Sequence, residues 1–245
     1  MLPVLEVDLG ERVRALFTTR GGGVSAGEHA ELNLGLAVED EPRRVLTNHD
    51  LVARELGTPL AFGRQVHGDD VRVVTGPPAV GSATVGIADA LVTTTTAVSL
   101  AVVVADCVPV LLADAERRVV ATAHAGRAGL VAGVVPRVAD RMRELGAEEI
   151  RAVVGPAICG RCYEVPSEMR DSVGKAVPGT ASTTSWGTPA LDLPHGVLAQ
   201  LRDAGVTAVQ HLEACTYTDD RFYSHRRFGA DGTRRGRFAG VVRLV

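Results

Sequence analysis

The chain has 245 residues, 46% of them hydrophobic and 22% charged, with a formal net charge of -3. That composition belongs to a globular protein with a sizeable core, and the charge removes the electrostatic case for a nucleic-acid or membrane-surface partner. The opening residues Met1-Leu-Pro-Val-Leu-Glu-Val-Asp8 have no basic region or long apolar stretch, and no segment reaches transmembrane length without a charge or turn signal, so a cytoplasmic location is expected.

Residues 4–18 alternate and end in Phe17-Thr-Thr-Arg20, which predicts a strand. Gly21-Gly-Gly-Val-Ser25 reads as a loop whose backbone can approach a ligand closely. Asp40-Glu-Pro42 opens a helix with apolar residues at Val45, Leu46, Leu51, Val52 and Leu56, stopped by Gly57. Residues 61–67 and 71–75 read as strands around the turn Gly68-Asp-Asp70, and 76–86 as a Pro/Gly-rich loop. From Ala88 the chain turns strongly apolar. The run Ser99–Asp114 is interrupted only by Asp106 and Cys107, the pattern of a strand covered on both faces. Those two residues stand where the strand would end, and Pro109 supports a break just after. Arg118–Gly126 repeats the pattern, a β run ending in His124 and then glycine.

Further on, 129–146 is helical in pattern and 150–154 is a strand. Residues 167–177 form a helix with Ser167 as N-cap and Glu168 in its first turn, 178–190 a polar loop, and 192–204 another helix ended by Gly205. Residues 206–212 read as a strand, followed by an Arg-rich, turn-rich segment and a closing strand over 238–244. Nothing reads as a linker or repeat. The expected architecture is a single domain over residues 1–245, of α/β (α+β) class, with mixed β-sheets flanked by helices.

Four cysteines in a cytoplasmic chain of this length argue for metal or catalysis rather than disulfides. His67, Cys107 and His124 each follow a strand-like run. Histidine and cysteine are the preferred ligands of zinc, and a catalytic zinc uses three protein ligands plus an open position. Asp106 could hold a ligand histidine or shuttle a proton; capping a strand-end turn is its alternative role.

Several short segments together resemble the YfiH-like family, also called the laccase-domain or polyphenol oxidase family, which includes FAMIN-like proteins. They are Phe17-Thr-Thr-Arg-Gly-Gly-Gly-Val-Ser25, Leu32-Asn-Leu-Gly35, Gln65-Val-His-Gly68, Ala88-Asp-Ala-Leu-Val-Thr93, Ala105-Asp-Cys-Val-Pro109 and His124-Ala-Gly126. Gly155-Pro-Ala-Ile158, Cys162-Tyr-Glu-Val165, Cys215-Thr216, Phe222-Tyr-Ser-His-Arg-Arg227 and Gly236-Arg237 follow in the family's order. The resemblance implies a zinc site at His67, Cys107 and His124, with copper as the alternative metal, and Cys107, His124 and Asp106 in catalysis. It implies phosphorolysis of adenosine, inosine and methylthioadenosine, with adenosine deaminase activity as well. Older descriptions of the family are of copper-dependent phenol oxidation, and some bacterial members are named peptidoglycan editing factors. Where the family has His-Ala-Gly-Trp-Arg-Gly, this chain has His124-Ala-Gly-Arg-Ala-Gly129, so the arginine's role is either moved to Arg127 or lost.

Phosphorolysis needs an anion held beside the anomeric carbon, and arginine does this through a bidentate fork. Arg20, Arg64, Arg226 and Arg227 are candidates, and contacts to substrate or phosphate are expected at Arg20, Asn33, Arg64, Gln65 and Arg226. Deamination needs an activated water, which zinc supplies by lowering its pKa. Three rivals compete with the enzyme. Cys159-Gly-Arg-Cys162 has thioredoxin spacing, but Tyr163-Glu-Val-Pro166 reads as extended where a helix should follow; Cys162 belongs to the matched segment and Cys159 reads as incidental. The deaminase pieces His211-Leu-Glu213 and Pro156–Cys162 stand in reversed order with altered spacing. Seven histidines without His-X-His pairs do not suit a multicopper cluster. A non-catalytic role in cell-wall precursor quality control is the remaining alternative.

Overall fold

The computed structural model describes residues 1–79, 82 and 84–245, so positions 80, 81 and 83 of the predicted 76–86 loop lie outside the described residues. The first alternating run is a hairpin rather than one strand. β1 (Val4–Val7) and β2 (Val13–Thr18) pair antiparallel, and Gly10 and Arg12 take positive φ in the turn between them. Helix α1 (Pro42–Leu56) has proline in its first turn and ends at Gly57, whose φ of 79° is the left-handed conformation that a helix C-terminus needs. β3 (Leu60–Phe62) is shorter than predicted. Beyond it the Gln65 side chain takes over the pairing, donating to Val103 O at 2.8 Å and accepting from Val103 N at 2.9 Å. β4 (Val71–Val73) and β5 (Ala90–Thr93) follow.

The long apolar run is two strands in two different sheets: β6 (Ser99–Val104) and β7 (Val108–Asp114). The break comes before Pro109, which lies inside β7, and it is made by Asp106 at φ 84°. β8 (Val119–Ala125) returns beside β7 as a hairpin. The helix predicted over 129–146 is divided at Gly133 into α2 (Arg127–Ala132) and α3 (Val134–Glu144). After β9 (Arg151–Val154) comes α4 (Ser167–Ala176), whose cap position is Pro166, so Ser167 starts the helix and caps nothing. The predicted loop 178–190 contains a small hairpin, β10 (Ala181–Thr183) with β11 (Pro189–Leu191). α5 (Leu193–Asp203) is capped by the Asp192 carboxylate, which accepts from His195 N, and β12 (Ala208–His211) follows. The Arg-rich segment holds α6 (His225–Asp231), capped by Ser224, and the chain closes on β13 (Phe238–Leu244).

Two mixed sheets result, in the orders β1-β2-β13-β6-β3 and β12-β9-β7-β8-β5-β4. Alternate residues along β7 explain its unbroken apolar sequence: Leu111 packs between the sheets with Phe17, Leu100 and Val242, while Val110 and Leu112 face α3 and α5. On the far side, Leu16, Ala101 and Val241 pack against Val52 and Leu56 of α1. The layers are therefore helix, sheet, sheet, helices. Among the described residues no helix is long and apolar enough to cross a membrane.

Candidate metal centre and adjoining cavities

Strand register brings the predicted ligands together. Val108 pairs with Ala125 and Pro109 with His124, which sets Cys107 at the mouth of the β7–β8 hairpin opposite Gly126. Ala90 pairs with Ala123, so Asp89 lies beside His124, whose N–H donates to Asp89 O at 2.7 Å. His67 arrives from the loop after β3, at φ 60°. Cys107 Sγ is 3.7 Å from His67 Nε2, and the two imidazoles meet edge-on with centroids 4.7 Å apart. One potential ligand atom from each of the three residues lies within 4.8 Å of the others.

Asp89 organises this cluster. Its side chain is fully buried and accepts from His124 Nδ1 at 2.8 Å, which leaves Nε2 facing the cluster. The same carboxylate accepts the backbone N–H groups of Val66, His67 and Gly68 at 3.0, 2.9 and 2.8 Å. Burial would raise its pKa, but these donors outweigh burial and hold it below the usual range. Burial would likewise raise the Cys107 thiol; the His124 charge and hydrogen bonds from both imidazoles bring it down to about 6. His124 is the counterpart: burial opposes its charged form, while Cys107 and Asp89 raise it to about 9. Each group thus favours the charged form of the other. A Cβ on Gly126 would stand 2.6 Å from His67 Cδ2 and 3.1 Å from Cys107 Sγ, so only glycine allows the three to converge.

The donor set fits one zinc ion. Zinc–sulfur and zinc–nitrogen bonds at a tetrahedral angle put the two donors about 3.6 Å apart, and the Cys107–His67 separation matches within 0.1 Å of the 3.7 Å given above. The other metal-capable cluster among the described residues contains no histidine, so the imidazole-rich donor set of a multicopper cluster is not assembled there.

Two cavities meet at the cluster, sharing His67, Ala105, Cys107 and His225. The larger, about 530 Å³, has apolar walls from Leu34, Leu36, Val38, Phe62 and Val103, with Arg64, Gln65 and Arg237 among them. The smaller, about 340 Å³, is bounded by Arg127, Arg226, Tyr163 and Ile158. Arg226 lies over the Tyr163 ring at 5.1 Å and donates to Glu164 O.

The other predicted residues divide into those that reach the cavities and those that do not. Arg64, Gln65 and Arg226 line them, although both ends of the Gln65 amide are occupied by Val103. Arg20 instead donates to Asp220 O and Ala30 O, holding two loops together. Asn33 is fully buried and bonds Gly35, Asp40 and Arg237 N. Arg227 spends its guanidinium on the carbonyls of Thr216, Tyr217 and Phe222. The carboxylate that holds His124 is Asp89, not Asp106. Asp106 accepts from Thr216 Oγ1 at 2.6 Å and from Arg226 N at 2.7 Å, and so fastens the start of α6. Sequence reasoning missed Asp89 although it lies within the matched Ala88–Thr93 segment; an acid one residue before a strand that pairs with the histidine's strand was the available signal. It also missed Arg237, whose pKa is lowered by burial against the opposing charges of Cys107 and Asp106.

The chain matches the multi-copper polyphenol oxidoreductase laccase family model over residues 14–245 and belongs to that family. A Streptomyces griseus protein named purine nucleoside phosphorylase is 52% identical over 233 residues, covering 93% of each chain. Among solved structures, a Neisseria meningitidis protein is 34% identical with a TM-score of 0.85, covering 98% of both chains. The Bacillus licheniformis protein YfiH is 30% identical with the same TM-score, covering 99% of this chain and 96% of its own.

Proposed function

We propose that this family member is a zinc-dependent purine nucleoside phosphorylase, cleaving adenosine, inosine and methylthioadenosine with phosphate to free base and ribose 1-phosphate. The observation that carries the reading is the junction itself: an apolar cavity and an arginine-bearing cavity share the residues of a metal-capable cluster. The name of the Streptomyces griseus relative supports the same activity.

His67, Cys107 and His124 would hold the ion, which when bound supplies positive charge beside the reacting groups at its open position. Arg127 and Arg226 grip phosphate in the smaller cavity, so the arginine displaced from its usual place in the sequence is replaced from the neighbouring position 127. Each charge-assisted contact contributes about 1.5–3 kcal/mol. The purine lies against Leu36, Val38 and Val103, with the ribose toward His225. Arg64 and Arg237 face the same cavity and bind the polar edge of the nucleoside. As a phosphate oxygen bonds to the anomeric carbon, the glycosidic bond breaks, its electron pair leaves on the purine, and the base takes up a proton from solvent. Asp106 is a positioning residue: it fixes the backbone of Arg226 and thereby the phosphate grip.

Adenosine deamination draws on the same centre. The deciding assay offers adenosine or inosine with and without phosphate and chelator. Base and ribose 1-phosphate formed only with phosphate, and lost on chelation, are expected. Oxygen uptake with a phenol in place of base release would instead establish the oxidase reading of the family's description.

A further inference from the structure

A second group of metal-capable side chains lies outside the site just described. Cys159, Cys162 and Cys215 bring three sulfurs within 4.8 Å of one another, and all three are free thiols. Cys159 and Cys162 sit on one tight turn, in which Cys162 N and Tyr163 N both donate to Cys159 O, at 2.9 and 3.0 Å. Cys215 comes from the segment after β12, bridged to Ala157 as a short parallel pair. Cys159 N donates to Cys215 Sγ at 3.4 Å. The cluster thus has the parts of a thiolate knuckle: a Cys-X-X-Cys turn, a third cysteine from a distant strand end, and a backbone N–H aimed at sulfur.

A redox role fits poorly. Disulfide exchange needs an attacking cysteine of depressed pKa, usually at a helix N-terminus. Here burial, then hydrogen bonding to Cys215, raises Cys159; burial and the Cys215 charge push Cys162 up to about 12; only Cys215 is lowered, burial being outweighed by hydrogen bonds from Cys159, Tyr217 and Thr218; and no helix starts at any of the three.

We propose that Cys159, Cys162 and Cys215 bind a second metal ion of thiophilic type, zinc, with the fourth position left to water or a small exogenous ligand. Zinc–sulfur bonds of about 2.3 Å require sulfurs about 3.8 Å apart, a contraction of about 1 Å at most. The ion would clip together segments that shape the smaller cavity. Ile158 and Tyr163 are two of its walls, and Thr216 holds Asp106.

The test uses the full-length C107A variant, in which these three are the only cysteines left. The protein is stripped with chelator and titrated with cobalt(II). The expected result is one cobalt per chain with an intense near-ultraviolet thiolate-to-cobalt charge-transfer band, and loss of both in C107A/C215S. Wild-type protein should carry two zinc ions by elemental analysis, and H67A/C107A one. Absence of the charge-transfer band in C107A overturns the proposal. So does a two-hydrogen mass deficit in freshly isolated C107A, since that is a disulfide among the three.

Discussion

Replacing Asp89 by asparagine (D89N) removes one charge and barely changes shape, yet the structure predicts a large effect. The carboxylate accepts four N–H groups from His124, Val66, His67 and Gly68. Asparagine offers one acceptor oxygen and two donors. If its oxygen faces His124 and His67, its NH2 opposes the N–H groups of Val66 and Gly68. Two part-buried donors left unpaired cost at most about 1–3 kcal/mol each, so up to about 6 kcal/mol of folding stability. If the amide is turned over, its NH2 meets His124 Nδ1, which must become an acceptor; the ring proton then moves to Nε2 and occupies the lone pair that a metal needs. Metal affinity accordingly falls in either orientation, by about 10- to 100-fold. Urea unfolding of the stripped protein reads the first effect, and competition with a chelator of known affinity reads the second. Affinity within twofold of wild type, with stability changed by less than about 1 kcal/mol, would refute the reasoning.

Three further outcomes are expected. G126A places a methyl group against His67 and Cys107, so metal content should drop while circular dichroism stays native. R127A and R226A should each raise the KM for phosphate by about 10- to 100-fold, the equivalent of one charge-assisted contact, with little change in the KM for inosine. Asp114 is buried and accepts the N–H groups of Arg117, Glu148 and Glu149. Burial would raise its pKa, but the amides outweigh burial and lower it. A carboxyl group depressed by folding stabilises above its unfolded pKa, about 3.9, and loses that contribution as pH falls through the folded value. The stability gap between wild type and D114N should therefore be full at pH 7 and shrink in acid below about pH 4.

The convergence of His67, Cys107 and His124 was legible because each follows a strand-like run, and strand ends on one side of a sheet come together. Which strands pair was not legible. The run 99–114 reads the same whether it is one strand or two in different sheets, because both sheets are covered on both faces and demand the same apolar residues. Asp106, beside Cys107 in the sequence, reads as an acid that could hold a ligand histidine, whereas the register of β5 on β8 puts Asp89 beside His124. Arg20 and Asn33 sit in matched segments and are polar, but they bond to loops whose approach is nonlocal: Arg20 bonds a carbonyl 200 residues away. Cys159 looked incidental because its partner Cys215 lies 56 residues further along the chain.

The three donors of the first cluster are not equally anchored. Cys107 and His124 flank paired positions of one hairpin, and His124 is nearly inaccessible, whereas His67 is exposed on a turn. The backbone of that turn is tethered through its amides to Asp89, and the imidazole itself meets Cys107 Sγ at 3.7 Å and the edge of the His124 ring. A rotation of the His67 side chain, a motion of picoseconds to nanoseconds at an exposed position, opens the coordination sphere and leaves both sheets undisturbed. Were the cluster to hold an ion as proposed, its release would need only the turning of one side chain, with the strands that carry Cys107 and His124 left in place.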